Sequence, residues 1–439
     1  MAYKYPAHLI TTIKSRWARA TWTCRTAAPA LPRNHVGELL DVAFQASLLS
    51  EEGRPLQFRI AWCRASDLAS DLRLRRRNAP VPFQNPRPFT VSELVRLAPA
   101  VDPRQCLLGV GEAADQKLEI WGIVDAGVSW WEFARGERAG SLGGSPPPDC
   151  FTVGSSQRGA VVVSRAGIVI CGLERGAVVV PTPDVLTTGP FGEFVGAMAR
   201  EFRADVLTAV QADRYDPSGQ DETVPERMFV QFLNRVLDRV HDARHGGILL
   251  IVPDAWSLDD SRFRDRLRPK YPLDDNRTWP VLVESVKLHR EYYDLLLPAY
   301  DKETVPKAEF SLIQSLGSHL QDVEDLVRDR VAFISSLAAV DGAVALTTKL
   351  RILGFGCEVV AASPALLQVS LATDASATST VPGRVDDYGT RHRSALRFCS
   401  SHENVAAFVI SQDGDVKATR RVGPEVVLWP SLVVSPFAL

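Results

Sequence analysis

Three short stretches in the last third of the chain carry residues able to do phosphate chemistry. Gly389-Thr390-Arg391-His392-Arg393-Ser394 opens an apolar, helix-like run, so two guanidinium groups and an imidazole stand at a predicted helix start. That end of a helix is already electropositive, and the triplet repels both itself and the dipole unless something anionic binds there. Thr390 is expected to cap the helix, leaving its N–H groups and the forks of Arg391 and Arg393 for phosphate oxygens. Asp341-Gly342-Ala343 lies between a helical pattern and a Val/Ala/Leu strand, and Ser411-Gln412-Asp413-Gly414-Asp415 closes another strand. Asp341 and an acid of the second turn, Asp413 or Asp415, are hard oxygen donors, suited to a Mg²⁺ or Mn²⁺ ion that bridges phosphates. Between the two stretches a further strand runs into Gly354-Phe355-Gly356. Alone, an Asp-Gly-Ala tripeptide is a turn and an Arg-His-Arg triplet is a solvated face. The argument for a site is their occurrence together, in this order.

The elements that must position these residues are those of an α/β protein. Lys307 to Leu337 has helical spacing, and the strand and helix patterns beyond it alternate, which predicts a mixed sheet flanked by helices. Asp254 to Pro306 is charged and punctuated by prolines, and the domain junction is placed there, dividing the chain into residues 1–306 and 307–439. In the first region His35 to Ser50 reads as a helix. From Leu56 to Val180 short Val/Ile-rich runs between glycine turns predict a β-rich, mainly antiparallel core. The proline-rich stretches near residues 80 and 145 read as loops. Phe191 to His245 reads as helical, ending at Gly246-Gly247 before the buried-strand pattern Ile248 to Val252.

Composition narrows the setting. The chain has 439 residues, 46% hydrophobic and 23% charged, with a formal net charge of -2. That balance gives no global attraction to nucleic acid or an acidic membrane, so an anion site has to be local. The seven cysteines are spread singly, without a CxxC pair, and read as buried free thiols. No signal-peptide pattern opens the chain, and no apolar run approaches the ~20 residues that span a bilayer. A cytoplasmic protein is the expectation.

Other candidates are weaker. His241 and His245 have the i, i+4 spacing of a zinc helix, but Asp242 stands where a metalloprotease has its glutamate and no third ligand is evident. Gly109-Val110-Gly111 lacks the third glycine of a dinucleotide fingerprint and reads as a turn. Arg73, Arg75, Arg76 and Arg77 follow Asp67 and Asp71 and read as a partly paired surface, and Trp121, Trp130 and Trp131 read as sheet-packing aromatics.

From about Phe310 onward the chain resembles the DisA-type diadenylate cyclase domain, whose two signature motifs correspond to Asp341–Ala343 and Gly389–Arg393. The resemblance implies that two such domains face each other with one ATP each, making cyclic di-AMP and two pyrophosphates. It implies that Asp341, in the Gly342-Ala343 turn, holds the metal and helps activate the 3′-hydroxyl. Thr390, Arg391, His392, Arg393 and neighbouring Ser394 would grip the triphosphate, with Gly354, Phe355 and Gly356 at the pocket wall. Where that family has Ser-Glu-Glu, this chain has Ser411-Gln412-Asp413, which leaves a catalytically impaired nucleotide-binding sensor as the alternative. The segments Leu39–Ile60, Lys117–Gly127 and Ala243–Pro253 resemble the sensor-type domain called DACNV. That likeness implies regulation by a small-molecule or protein signal. The partners expected are therefore ATP, a second copy of the chain and that signal, with no membrane and no nucleic acid.

Overall fold

The computed structural model describes residues 3–19, 29–32, 34–51, 53–69, 79–127, 148–180, 184–210, 223–243, 245–300, 302, 304–361, 368–411, 416–430 and 432. The chain divides into two compact units, Met1–Pro181 and Thr182–Val434. The division falls well before the expected 306/307 boundary, and the reason lies in strand pairing within the second unit.

In the first unit, helices α1 (Leu9–Arg16), α2 (Val36–Ser47) and α3 (Val91–Leu97) accompany an eight-stranded sheet. Its strands are β1 (Phe58–Trp62), β2 (Ala79–Pro88), β3 (Cys106–Glu112), β4 (Leu118–Asp125), β5 (Phe151–Ser155), β6 (Val161–Arg165), β7 (Ile168–Glu174) and β8 (Ala177–Val179). They lie in the order β8-β7-β6-β5-β1-β3-β4-β2. Every pairing is antiparallel except β1 with β3, close to the mainly antiparallel expectation. One face packs on α1 and α2 through Leu9, Ile13, Leu40, Ile60, Val110 and Val153. The opposite face carries a smaller cluster around Trp121.

The proline-rich stretch expected to loop near residue 80 is instead β2, at the sheet edge. It pairs with β4 alone, across an irregular register between Pro82 and Arg87. An edge strand has one side whose N–H groups need no ladder partner, which is where proline can sit. Gly109 and Gly111 form no turn either. They lie within β3 under the Trp121 ring, where a Cβ on Gly109 would come within 2.2 Å of the indole. Residues 140–147 of the stretch near residue 145, Arg73 to Arg77, and Trp130 and Trp131 lie outside the described residues, while Pro148 to Cys150 lead into β5 without forming a strand.

The second unit holds a nine-stranded mixed sheet. Its strands are β9 (Gly247–Val252), β10 (Leu267–Asp275), β11 (Ala343–Thr347), β12 (Ile352–Val359), β13 (Gln368–Ala372), β14 (Thr380–Arg384), β15 (Ala406–Ile410), β16 (Val416–Val422) and β17 (Glu425–Trp429). The order is β10-β12-β11-β9-β15-β16-β17-β13-β14. The central strands β9, β11 and β15 are buried along their whole length. They read as continuous apolar runs because both faces are covered. Alternate residues go to opposite sides. Leu249 and Ile251 meet helices α4 (Gly189–Ala209), α5 (Val224–Asp242), α6 (Thr278–Tyr300) and α7 (Lys307–Leu337). Ile248, Leu250 and Val252 meet α8 (Thr390–Ser400). Helix α7 keeps the span expected from its periodicity, and α8 begins at Thr390, one residue earlier than a Thr390 cap would place it.

The segment Asp254–Pro306, expected as a junction, contributes β10 and α6 to this unit. β9 pairs parallel with β11 and antiparallel with β15, so residues before 306 form the middle of the sheet that residues after 306 complete. β10 carries Pro269 and Pro272 and, like β2, is an edge strand. His241 lies in α5, but the helix ends at Asp242 and His245 follows it outside, with its Nδ1 3.1 Å from the Gly246 carbonyl. The i, i+4 geometry of a zinc helix is therefore not formed. No helix among the described residues is long and apolar enough to cross a membrane.

Candidate anion-binding cleft

A cleft of about 980 Å³ opens on the α8 side of the second sheet, where β9 and β11 begin, β15 ends, and β12 passes alongside. That volume is at the upper end of the range for small-ligand sites, about 300–1,000 Å³. Its apolar floor includes Ile248, Ala343, Cys357 and Val409. Burial pushes the Cys357 thiol up to about 12, so this wall stays neutral at physiological pH.

The Asp-Gly-Ala turn sits at one side of the cleft because two glycines let backbones meet. Gly342 has φ +114, and a Cβ there would stand 2.5 Å from the Gly356 carbonyl carbon. Gly356 has φ +60, and a Cβ there would be 3.4 Å from the Asp341 carbonyl oxygen. The Gly-Phe-Gly segment is thus the seat on which the Asp341 turn rests, with Ala343 paired to Cys357 across the strands. Asp341 and Gly356 line the cleft, while Gly354 and Phe355 are absent from its wall. Phe355 points to the four-helix side and stacks on Tyr271 at 4.8 Å.

Across the cleft stands the start of α8. Gly389 is the N-cap, in extended conformation and without a side-chain bond, so Thr390 is the first helical residue and not the expected cap. A Cβ on Gly389 would meet nothing within 4 Å, which leaves the helix N–H groups open to approach. Successive helical residues point about 100° apart, so the basic triplet cannot face one way. Thr390, Arg391, His392, Ser394 and Arg397 line the cleft, and Arg393 is exposed elsewhere. The stripe is Thr390, Ser394 and Arg397, at i, i+4 and i+7, flanked by Arg391. The His392 ring stands 5.5 Å from Tyr388, whose hydroxyl is held above the usual phenol range by burial and then by the Asp387 charge.

Further cations come from β10, whose Arg268 and Lys270 project two residues apart onto the same face. Arg268 lies opposite Glu358, which also lines the cleft. Arg268, Lys270, Arg391 and Arg397 thus face two carboxylates, Asp341 and Glu358. Among the described residues none of these four cations makes a side-chain hydrogen bond or ion pair. Elsewhere in the unit Arg277 and Arg330 are both bound to Asp275. A concave surface with uncompensated cations beside an open helix start favours an anion with several oxygens.

Sequence reasoning missed Arg268, Lys270, Glu358 and Arg397. The helical stripe from Thr390 was a signal for Arg397. The i, i+2 cations of β10 were legible only if its prolines had been read as marks of an edge strand. Ser411 lines the cleft, but Asp413 and the rest of residues 412–415 lie outside the described residues. Among the described residues no group of three or more His, Cys, Asp or Glu side chains is arranged to hold a metal unaided. Asp341, exposed at the cleft, fits the pattern of Mg²⁺ sites in which one or two carboxylates are completed by substrate phosphates.

Residues 25–125, which take in α2 and β1 to β4 of the first unit, match the family described as "Probable sensor domain DACNV". No curated protein and no solved structure matches the chain.

Proposed function

We propose that this protein condenses two molecules of ATP into cyclic di-AMP and two pyrophosphates, with the cleft of the Thr182–Val434 unit as the nucleotide site. The N-terminal unit would regulate the reaction in response to a signal, in a cytoplasmic setting where ATP is at hand. The observation that carries this reading is that the Asp341–Ala343 turn and the Gly389–Arg391 helix start, distant in sequence, open onto one cationic cleft. The sensor-domain match over residues 25–125 supports the regulatory part.

In this reading the chain acts mainly by positioning and charge neutralisation, as is usual in phosphoryl and nucleotidyl transfer. Arg391, Arg397, Arg268 and Lys270 grip triphosphate oxygens, and the open N–H groups of α8 add to that grip. Each charge-assisted bond contributes about 1.5–3 kcal/mol net. Asp341 is the protein's oxygen ligand for Mg²⁺ or Mn²⁺ and helps activate the 3′-hydroxyl. The bound ion supplies Lewis-acid neutralisation of phosphate charge. The 3′-oxygen of one nucleotide bonds to the α-phosphorus of the other as the bond to pyrophosphate breaks, and the exchange repeats in the opposite sense. With one nucleotide per cleft, two copies of the chain must come face to face, at least transiently.

The test is to incubate the purified full chain with ATP and Mn²⁺ and look for cyclic di-AMP by mass spectrometry, beside Asp341→Asn. Product from the wild type and none from the variant is the expected result. Saturable ATP binding without product would replace the cyclase with a nucleotide-binding sensor. Absence of both would overturn the nucleotide reading altogether.

A further inference from the structure

On the Trp121 side of the first unit's sheet lies a second cleft, of about 460 Å³, whose lining includes Trp62, Cys63, Arg64, Glu112, Asp149 and Cys150. Cys63 immediately follows β1, and Cys150 immediately precedes β5. These strands run antiparallel with Trp62 paired to Phe151, and one further step of that register sets Cys63 opposite Cys150. Trp62 and Phe151 both pack into the helix-covered core. Alternation then turns both cysteines to the other face, where Cys150 is buried in the Trp121 cluster and Cys63 packs against it. Opposed residues of an antiparallel pair have Cα atoms about 4.5 or 5.5 Å apart. Both spacings lie within the roughly 4.4–6.8 Å that a disulfide bridges. The described cysteines are free, as expected, but two that stand apart in sequence are brought together because strand pairing joins distant parts of the chain.

We propose that Cys63 and Cys150 form a reversible dithiol–disulfide pair, a redox-sensitive site in the wall of this cleft that exchanges with small-molecule disulfides. Cys63 is the more exposed of the two and opens the exchange. Its thiolate attacks one sulfur of the small disulfide, forming a mixed disulfide and releasing one small thiol. The Cys150 thiolate then attacks the Cys63 sulfur and expels the second small thiol. The protein loses two electrons and two protons, and the small disulfide is reduced to two thiols. The second step is intramolecular between groups already opposed, which favours closure of the ring. The neighbouring Cys150 thiol, with burial added, holds the proton on Cys63, so exchange is slow at neutral pH and quickens as pH rises.

Closure has a structural consequence at the cleft rim. Asp149, beside Cys150, accepts hydrogen bonds of 2.6 and 2.8 Å from the buried Arg165, which also donates to the Trp17 carbonyl. A Cys63–Cys150 bond would tie the end of β1 to that anchored segment. The proposal is independent of the nucleotide chemistry and is tested without an activity assay.

The full-length protein, fully reduced, is equilibrated with mixtures of reduced and oxidised glutathione, quenched in acid, alkylated and analysed by intact mass and peptide mapping. The expected result is one cross-linked peptide pair containing Cys63 and Cys150, titrating reversibly within the range of that buffer. Cys63→Ser and Cys150→Ser should each abolish it, with Cys150→Ser leaving glutathione attached at Cys63. Wild-type protein in which both cysteines stay alkylatable under fully oxidising conditions would overturn the proposal, whether or not the variants fold. So would a cross-link that maps to any other cysteine pair.

Discussion

Arg391 and Arg397 face the same cleft from one helix without a carboxylate partner among the described residues, whereas Arg393, the third member of the basic triplet, is exposed away from it. The difference is testable residue by residue. Arg391→Ala and Arg397→Ala should each weaken ATP binding about ten- to hundredfold, the equivalent of one lost charge-assisted bond. Arg393→Ala should leave the affinity within about twofold. Calorimetry on the three variants checks the ranking, and an Arg393 effect as large as the others would refute the assignment of the stripe. Asp341→Asn is expected to keep nucleotide affinity within a few-fold while abolishing turnover, because the cationic side of the cleft is untouched. Gly342→Ala is a different kind of change. Its φ of +114 and the 2.5 Å approach to Gly356 mean that a methyl group must push the two turns apart. Both nucleotide binding and the melting temperature should fall.

At the scale of elements, the cleft depends on edge strand β10 being held in place. Its last residue, Asp275, is buried and receives hydrogen bonds from Arg277 at 2.8 and 2.9 Å and from Arg330 of α7 at 2.9 Å. Arg330 also bonds the Thr278 hydroxyl at the start of α6, so one guanidinium joins the strand to two helices. The bonds from Arg277, reinforced by Arg330, hold the Asp275 carboxyl well below the usual carboxylate range despite its burial. A depressed carboxylate stabilises the fold above its unfolded value, near pH ~4, and loses that contribution as pH falls through the folded value. Asp275→Asn should therefore cost about 3 kcal/mol at pH 7, since it leaves Arg330 buried without its counter-charge. The gap between variant and wild type in urea midpoint should shrink below pH ~4. A gap independent of pH would show that the cluster acts through packing alone.

For the whole molecule, the position of β9 decides what can fold by itself. A chain of residues 182–434 contains every strand of the second sheet, while a chain of residues 307–439 lacks β9 and β10. Without β9 the apolar edges of β11 and β15, which it separates, have no partner. The shorter piece is expected to aggregate, and the longer one to give a single cooperative urea transition. A folded monomer from residues 307–439 would restore the later boundary.

Much of the architecture was legible locally. The periodicity of α7, the apolar runs of β9 and β15, and the glycine turns between β6, β7 and β8 are properties of neighbouring residues, and neighbouring residues declare them. So are the two chemically distinctive stretches at Asp341 and Gly389, whose residue types point to phosphate before any fold is known. Only the tertiary structure decided which of those residues share a cleft, because a helix displays its face every third or fourth residue and a basic triplet cannot display itself whole. It also decided that the prolines of β2 and β10 belong to strands. A proline is excluded from the interior of a ladder and tolerated at its edge, and the edge is defined by strands far away in the chain. The same long-range pairing set Cys63 against Cys150 and drew β9 into the sheet of the C-terminal residues. Each of these features depends on the register between distant segments, which no local pattern encodes.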